Sequence, residues 1–249
     1  MANKYYDAGE TRAQRVRELF AAIASRYDLI NDLQSFGLHR LWKRRLTRLA
    51  RPRPGQRALD VCCGTGDIAF RLAGHGVEVV GVDFSGPMLA VAGERARKWQ
   101  ASLPKANPSG GAPRFVQADA QALPFPDATF DIVTVGYGLR NLASWEAGLR
   151  EMWRVARPGG RLLVLDFGKP DHPLWRRTYF FYLRRVVPFW GKLCCGDSQA
   201  YGYILESLTH YPAQRGVDQQ LRDLGAMDAR IYPLLGGMMS LNFARKPPG

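Results

Sequence analysis

Long apolar stretches are missing from this sequence of 249 residues. No run of about 18 apolar residues occurs, so no membrane-spanning helix is expected. The amino-terminal segment MANKYYDAGETRAQRVREL also lacks the apolar core of a secretory signal, which favours a cytoplasmic protein. Hydrophobic residues nevertheless make up 46% of the chain, and this is enough material for a substantial buried core.

Cysteine is scarce, and its spacing excludes two common uses of the residue. The four cysteines form two adjacent pairs, Cys62–Cys63 and Cys194–Cys195. Neither pair has the C-x-x-C spacing of a zinc site, so no metal is expected. Because nothing indicates secretion, we expect free thiols in a reducing cytoplasm rather than disulfides.

Acidic residues are outnumbered, with 22 Asp and Glu against 35 Lys and Arg, for a formal charge of +13. Such a charge favours polyanionic partners, either nucleic acid or an anionic membrane surface, although a basic soluble enzyme can have the same composition. Seven of the basic residues lie within 40–53. Five others interrupt an aromatic-rich stretch, namely Arg176, Arg177, Arg184, Arg185 and Lys192.

Hydrophobic periodicity divides the chain into a helical extension over 1–52 and a larger domain over 53–249. Apolar residues at helical spacing predict helices over 11–24 and around 38–50, the second with Leu41 on its apolar face. The sequence RPRPGQR then ends the helical pattern. We expect the amino-terminal extension to contribute to the substrate site.

From residue 57 onward, short apolar runs alternate with helical segments. Strands are predicted over 57–62, 77–83, 114–119, 131–137, 161–167, 228–233 and 238–244, and helices over 66–74, 86–99, 144–156 and 217–225. The sequence RPGG after the third of these helices predicts a helix stop and a turn. This order is typical of a Rossmann-like α/β fold, with a seven-stranded, mostly parallel sheet and helices on both faces. The aromatic-rich segment 170–215 breaks the alternation after the fifth strand, and we interpret it as a helical cap above the carboxyl edge of the sheet.

The turn after the first strand, within LDVCCGTGDIAF, permits two cofactors. Gly64, Gly66 and Ala69 have the G-x-G-x-x-G/A spacing of a dinucleotide site, and Asp83 stands where such a site has its ribose-binding acid. Asp60 favours a different nucleoside cofactor. A carboxylate there would repel the pyrophosphate of NAD but attract the sulfonium and ammonium of S-adenosylmethionine.

Two further features bear on the choice of cofactor. Asp119, at the end of the third strand, is suited to accept a hydrogen bond from an adenine amino group, and Ala120 to donate its backbone N–H. The Tyr-x-x-x-Lys pair that a short-chain dehydrogenase needs is absent from the sequence. Both features favour S-adenosylmethionine over a nicotinamide cofactor.

Four segments in order, LDVCCGTGD, GVDFS, ADAQALPFPDATFD and RVARPGGRLLVLDF, resemble the successive motifs of class I S-adenosylmethionine methyltransferases over about 110 residues. The resemblance implies a role for nine residues. They are Asp60, Gly64, Thr65 and Gly66 at the methionine part, Asp83 at the ribose hydroxyls, Phe84 beside the adenine, Asp119 and Ala120 at the adenine, and Gly136 at the methionine end.

Segments outside these four motifs indicate which methyltransferase family the chain resembles. YDLINDLQSFGLHRLW over 27–42 and VGYGLRNL over 135–142 resemble the signatures of the UbiE/MenG/COQ5 family. The resemblance extends to YDAGETRAQRVRELFAAIASRYD upstream and to LGGMMSLNFARK near the end, and so covers essentially the whole chain. It implies C-methylation of the ring of a polyprenylated quinol.

That chemistry suggests which residues contact the methyl acceptor, since loss of a phenolic proton makes the ortho ring carbon nucleophilic. Arg140 and Asn141 follow the fourth strand at the carboxyl edge. Arg140 remains protonated, so its role would be to stabilise the phenolate or to polarise a water, while Asn141 would hold the second oxygen. Tyr27 and His39 are candidates for contacting the head group or relaying a proton.

Short motifs and the surface composition indicate which quinol is methylated and where the protein acts. CCGTGD, GYGLRN, LDF and GGMM resemble the naphthoquinone branch of the family, including enzymes that act on phytyl-naphthoquinol, more than the ubiquinone branch. This favours demethylmenaquinol as the acceptor, with a benzoquinol or demethylphylloquinol as the alternatives. Because an isoprenoid tail lies in the bilayer, the basic segment 40–53 and the aromatic cap are expected to contact the anionic inner face of the membrane. The competing interpretation makes the cap only the lid of an apolar pocket.

Two other classes of protein remain as alternatives. An RNA methyltransferase would suit the charge, but no N-P-P-Y motif follows the fourth strand and no appended RNA-binding module is evident, so we expect no nucleic-acid partner. An inactive S-adenosylmethionine-binding protein is disfavoured by the acidic residues at 60, 83 and 119. Whether the protein is a homodimer, how long the prenyl tail is and which group finally accepts the proton stay open.

Overall fold

The computed structural model describes residues 32, 35–102, 111–186 and 199–249. The predictions for the helix over 11–24, for Tyr27 and for Cys194–Cys195 lie outside these residues. Among the described residues, no helix combines the length and the apolar character that crossing a bilayer requires.

Seven strands of the described chain form one sheet in the order β3-β2-β1-β4-β5-β7-β6. They are β1 Arg57–Val61, β2 Glu78–Asp83, β3 Arg114–Gln117, β4 Phe130–Gly136, β5 Ala156–Phe167, β6 Met227–Leu234 and β7 Met239–Arg245. The first five strands pair in parallel, and β7 runs antiparallel to both β5 and β6. This confirms the predicted seven-stranded, mostly parallel sheet.

Seven α-helices lie in the described part of the chain. They are α1 Leu38–Ala50, α2 Asp67–Ala73, α3 Gly86–Ser102, α4 Trp145–Val155, α5 Pro173–Phe181, α6 Gln199–His210 and α7 Ala213–Asp223. A π-helical turn, Tyr182–Val186, continues α5, so the described part of the segment between β5 and α7 is helical over 173–186 and 199–210. The last helix begins at Ala213, inside the stretch predicted as the cap.

Helix α4 ends at Val155, just before RPGG, which confirms the predicted helix stop, but RPGG at 157–160 belongs to β5, so the predicted turn is wrong. Phe130 pairs with Ala156, but the next pair is Ile132 with Arg161, so the intervening residues of β5 form a bulge. The strand therefore starts five residues earlier than the predicted one. The left-handed backbone of Gly159, with φ +74°, is compatible with such a bulge.

The hydrophobic core lies on both faces of the sheet. Alternate residues of β5 point to opposite sides, with Leu162 and Val164 in one buried cluster and Leu163 and Leu165 in the other. Helices α4, α5 and α7 supply buried residues to the first cluster, while α1 and α2 supply them to the second. This two-sided burial explains the continuous apolar runs in the sequence.

Helix α1 is rotated about its axis relative to the expected orientation. Its buried face includes His39, Lys43 and Leu46, whereas Leu41 is 54% exposed on the opposite side. Trp42 lies at the margin and packs against the second cluster, as its spacing predicts. The hydrophobic periodicity predicted the wrong buried face because it assigns charged residues to solvent. In this helix His39 and Lys43 occupy buried positions.

Two glycine substitutions test the packing of this fold. An alanine Cβ at Gly81 in β2 would lie 2.7 Å from two ring carbons of Phe115 and 2.9 Å from Sγ of Cys63, whereas one at Gly93 in α3 would have nothing within 4 Å. We expect Gly81→Ala to lower the free energy of unfolding by about 1–3 kcal/mol. Gly93→Ala, the matched control, should raise it by about 0.5–1 kcal/mol because alanine is the better helix former.

Urea denaturation followed by circular dichroism measures both changes. Equal stability of Gly81→Ala and the wild type would contradict the close approach of Phe115 to β2.

Candidate active site

The carboxyl ends of β1 to β4 meet at one edge of the sheet, and a cavity opens there. This main cavity is lined by six of the nine residues predicted to hold the cofactor, namely Gly64, Asp83, Phe84, Asp119, Ala120 and Gly136. A second, smaller cavity adjoins it and includes Asp60 and Thr65 in its wall. Four residues line both cavities, namely Cys62, Gly64, Gly136 and Tyr137.

The turn after β1 carries three residues with left-handed backbone, and two of them are glycines. Gly64 has φ +55° and donates its N–H to Oδ2 of Asp83 at 2.8 Å. Gly66 has φ +88°, and a Cβ there would meet the ring of Phe115 at 2.8 Å. The left-handed backbone explains why glycine is needed at residue 66, whereas its contact with the methionine part stays a prediction.

The third left-handed residue is Cys62, with φ +52°, a conformation that costs little only for glycine. The neighbouring Gly138 accommodates the cysteine, since a Cβ on residue 138 would overlap the Cβ of Cys62. Burial raises the pKa of both thiols, Cys62 and Cys63, well above the ordinary value. Both are therefore protonated at neutral pH and poorly nucleophilic.

Asp60, at the end of β1, is almost completely buried. Its carboxylate accepts hydrogen bonds from Oγ1 of Thr134 at 2.8 Å and from the backbone N–H of Ala69 at 3.1 Å. Burial raises the pKa of Asp60 to about 7. A cation bound in the small cavity would favour the ionised form, so the site fits a positively charged ligand group.

The residues expected at the nucleoside are arranged along the wall of the main cavity. Asp83 holds the turns with Gly64 and Ser85, accepting from the latter's N–H at 2.9 Å, and burial raises the pKa of Asp83. Phe84 is 45% exposed, so it is a wall residue rather than core. Asp119 is exposed to the cavity and accepts the N–H of Gln121 at 2.8 Å. Two wall carboxylates beside an exposed ring suit a purine nucleoside, so the residues present fit S-adenosylmethionine.

Arg140 is buried in an ion pair with Asp166. Nη1 lies 2.7 Å from Oδ1 of Asp166 and also donates to the carbonyl of Tyr137 at 2.7 Å. The guanidinium sits 4.5 Å from the ring centroid of Phe167. Arg140 lines neither cavity, so in this structure it supports the site from behind.

Asn141 faces the main cavity from the turn after β4. Its Nδ2 donates to the carbonyl of Tyr137 at 3.2 Å. Its Oδ1 is buried and has no hydrogen-bond partner among the described residues. A buried acceptor left without a donor is costly, so Oδ1 is suited to receive a hydrogen bond from a ligand.

His39 is buried, lines neither cavity and pairs with the partly exposed Asp32. Its Nε2 is 2.8 Å from Oδ1 of Asp32, and Arg40 donates to the same carboxylate from Nε at 2.7 Å. The hydrogen bonds from Arg40 and His39 hold the pKa of Asp32 well below its usual range. Burial lowers the pKa of His39, so its imidazole is neutral at pH 7.

Two residues of the cavity walls, Tyr137 and Lys43, were not predicted from the sequence. Tyr137 has φ +64°, a strained conformation for an aromatic residue, and separates the two cavities. It lies in VGYGLRNL beside Gly136, so its position in that motif was an available signal. Lys43 was hidden among the seven basic residues of 40–53, and only its burial distinguishes it.

Comparison with known proteins agrees with this arrangement. Residues 8–246 match the model of the ubiE/COQ5 methyltransferase family. The ubiquinone/menaquinone biosynthesis C-methyltransferase UbiE of Cellvibrio japonicus is 40% identical over 241 residues, covering 96% of this chain and 94% of that protein. The protein of the same name from Ectopseudomonas mendocina is 42% identical over 239 residues, covering 95% and 90%. A crystal structure of a SAM-dependent methyltransferase from Aquifex aeolicus has a TM-score of 0.59 at 17% identity, over 90% of this chain and 97% of that one, which supports the fold alone.

The buried pair of Arg140 and Asp166 predicts a large loss of stability when one partner is removed. Arg140→Ala leaves a buried carboxylate without its cation, so the free energy of unfolding should fall by about 3–5 kcal/mol. The double variant Arg140→Met, Asp166→Leu removes both charges. Its loss of unfolding free energy should be smaller than the summed losses of the single variants Arg140→Met and Asp166→Leu. Denaturation of the four proteins of this cycle measures the coupling.

The exposed pair of Arg215 and Asp171, with a 2.9 Å separation, is the matched control. Arg215→Ala should cost less than about 1 kcal/mol. Additive costs at Arg140 and Asp166 would contradict their pairing. Because Arg140→Ala is expected to destabilise the fold, a loss of turnover in that variant would not by itself identify a catalytic residue.

Proposed function

The chain belongs to the ubiE/COQ5 methyltransferase family, and from that membership we propose that it methylates a ring carbon of a polyprenylated quinol. It is an S-adenosylmethionine-dependent methyltransferase. The quinol as acceptor is supported by the names of relatives that are about 40% identical over nearly the whole chain. The observation that carries the proposal is a shared wall, because Asp83, Asp119 and Asn141 line the same main cavity.

The chemistry divides between the cofactor and the chain. When bound, S-adenosylmethionine supplies a methyl group on a positively charged sulfur. Asp83 accepts hydrogen bonds from the ribose hydroxyls, and Asp119 accepts one from the adenine amino group. Oδ1 of Asn141 accepts a hydrogen bond from a quinol hydroxyl and so orients the ring. In the net reaction a ring hydrogen is replaced by methyl and leaves as a proton.

Proton removal requires a neutral base, and His39 has the right charge state. Its imidazole is neutral because burial lowers its pKa, and Asp32 fixes the ring through Nε2. Nδ1 is buried and has no hydrogen-bond partner among the described residues, so it is available as an acceptor. His39 lines neither cavity, so its role as a proton relay, like that of Tyr27 as a head-group contact, stays a prediction. Arg140 pairs with Asp166 and also lines neither cavity, so we assign it the role of holding the loop that carries Asn141.

We propose demethylmenaquinol as the preferred acceptor. The motifs CCGTGD, GYGLRN, LDF and GGMM support the naphthoquinone ring. The names of the relatives include both ubiquinone and menaquinone, so a benzoquinol is the alternative acceptor. Demethylphylloquinol would present the same naphthoquinone ring with a different tail.

Methyl transfer from labelled S-adenosylmethionine tests the proposal. Reduced demethylmenaquinol, a benzoquinol that lacks the ring methyl, and tRNA are supplied side by side. We expect the naphthoquinol to be methylated fastest and tRNA not at all. Asn141→Ala should lower kcat/KM for the quinol by at least about tenfold, because it removes a ligand hydrogen bond, while leaving the affinity for S-adenosylhomocysteine unchanged.

Gly93→Ala, on the outer helix α3, is the control variant and should keep full activity. Methylation of tRNA alone would refute the proposed function. Faster methylation of the benzoquinol would refute only the preference for the naphthoquinone ring.

We also propose that the protein docks on an anionic membrane surface to reach its prenylated substrate. Helix α5 exposes Leu174 (68%), Trp175 (41%) and Phe181 (62%). Four further exposed side chains on α5 and the following turn are basic, namely Arg176, Arg177, Arg184 and Arg185. Apolar and aromatic side chains among arginines suit the boundary between head groups and acyl chains.

Co-sedimentation with phosphatidylglycerol vesicles measures this docking. The wild type should sediment with these vesicles more than with phosphatidylcholine vesicles, and less as salt increases, because salt screens the arginines. The double variant Leu174→Ser, Phe181→Ser should lose binding but retain its fold, since both side chains are exposed. Equal sedimentation of this variant and the wild type would remove α5 from the docking surface.

A further inference from the structure

Lys43 is a buried lysine in the wall of the small cavity. It lies on the inward face of α1, one turn after His39, and only 5% of its surface is exposed. Lysine is rarely buried unless its ammonium has partners. The position of Lys43 therefore calls for acceptors that compensate its charge.

Lys43 shares one carboxylate with a second cation. Nζ of Lys43 lies 2.8 Å from Oδ2 of Asp67, and Nη2 of Arg95 lies 2.8 Å from Oδ1 of the same carboxylate. Although burial opposes it, the two cations hold the pKa of Asp67 well below its usual range. Asp60, in the same wall, is the carboxylate left for a cationic group of a ligand.

The ammonium of Lys43 has more hydrogen-bond donors than acceptors around it. An ammonium has three N–H donors, and in the described part of the chain one of them has a hydrogen-bond acceptor, Oδ2 of Asp67. The ring of Tyr137 lies 6.0 Å from Nζ, which adds a weak cation–π contact but no acceptor. Two donors of a buried ammonium are left for a ligand in the small cavity.

We propose that Lys43 binds the carboxylate of the aminoacyl end of S-adenosylmethionine, an inference that rests on the proposed function. The nucleoside fits the main cavity, beside Asp83 and Asp119. The small cavity joins the main one at Gly64 and Gly136, so the aminoacyl end enters it there.

That end of the cofactor carries one carboxylate and one ammonium. The small cavity offers Lys43 to the carboxylate and Asp60 to the ammonium. The pairing with Asp67 has a second consequence, because it fixes Nζ between α1 and α2 before the ligand arrives. A donor that is already oriented loses little freedom on binding.

Binding measurements with three ligands test the inference without any turnover. The ligands are S-adenosylmethionine, its decarboxylated analogue, which keeps the ammonium, and 5′-methylthioadenosine, which lacks the whole aminoacyl end. Isothermal titration calorimetry gives Kd for each. The wild type should bind S-adenosylmethionine about 10–100-fold more tightly than the decarboxylated analogue, the range expected for a charge-assisted hydrogen bond.

Lys43→Met replaces the ammonium with an apolar side chain of similar length. It should weaken S-adenosylmethionine by the same factor of about 10–100 and change the Kd of the other two ligands by less than about threefold. Arg95→Met is the matched control, because Arg95 also pairs with Asp67 but does not line the small cavity. It should not discriminate between ligands with and without the carboxylate.

Equal losses for S-adenosylmethionine and the decarboxylated analogue in Lys43→Met would overturn the inference and leave Lys43 a purely structural link. If that variant does not fold, the wild type still decides, since equal affinities for the two ligands would also overturn it. The proposed function fails separately. Carboxylate preference without quinol methylation would refute the acceptor and keep Lys43, whereas quinol methylation without carboxylate preference would refute only the role of Lys43.

Discussion

The buried carboxylate of Asp60 joins three elements at the wall of the small cavity. Through Thr134 it bridges β1 to β4, and through the N–H of Ala69 it fixes α2 against the end of β1. The turn between β1 and α2 can then keep its left-handed residues and present Gly64 to both cavities. Burial of this carboxylate raises the pKa of Asp60 to about 7, and a cationic ligand would favour the ionised form.

Two buried ion pairs surround this centre, and they differ in what lies beside them. Arg140 and Asp166 satisfy each other in a closed space against Phe167, away from both cavities. Lys43 and Asp67 lie at the wall of the small cavity, with Arg95 supplying a second cation. The first pair stabilises the loop that carries Asn141. In the second pair, two N–H donors of Lys43 are left for a ligand in the small cavity. The first pair therefore supports the site, whereas we propose that the second binds a ligand.

The acceptor side of the site is built from the turn after β4 and from the segments that flank it. Asn141 and Tyr137 come from that turn, and α6 packs against it from the segment between β5 and α7. Tyr179 and Leu183 anchor the same segment in the core, while Leu174 and Phe181 remain exposed. One segment thus combines a buried face towards the sheet with an apolar and basic face towards solvent, as docking on a membrane would require.

The sequence by itself determined the mostly parallel, seven-stranded sheet and the family, and it predicted six residues that line the main cavity. Parallel strands deliver their carboxyl ends to one edge, so Asp60, Asp83 and Asp119 could be brought together from chain order alone. The tertiary structure alone decided which charged residues are buried. Lys43 pairs with a residue 24 positions away and Arg140 with one 26 positions away, and local periodicity assigns both to solvent or to a ligand. The orientation of α1 and the bulge in β5 depend likewise on partners distant in the chain, which a pattern of neighbouring residues does not contain.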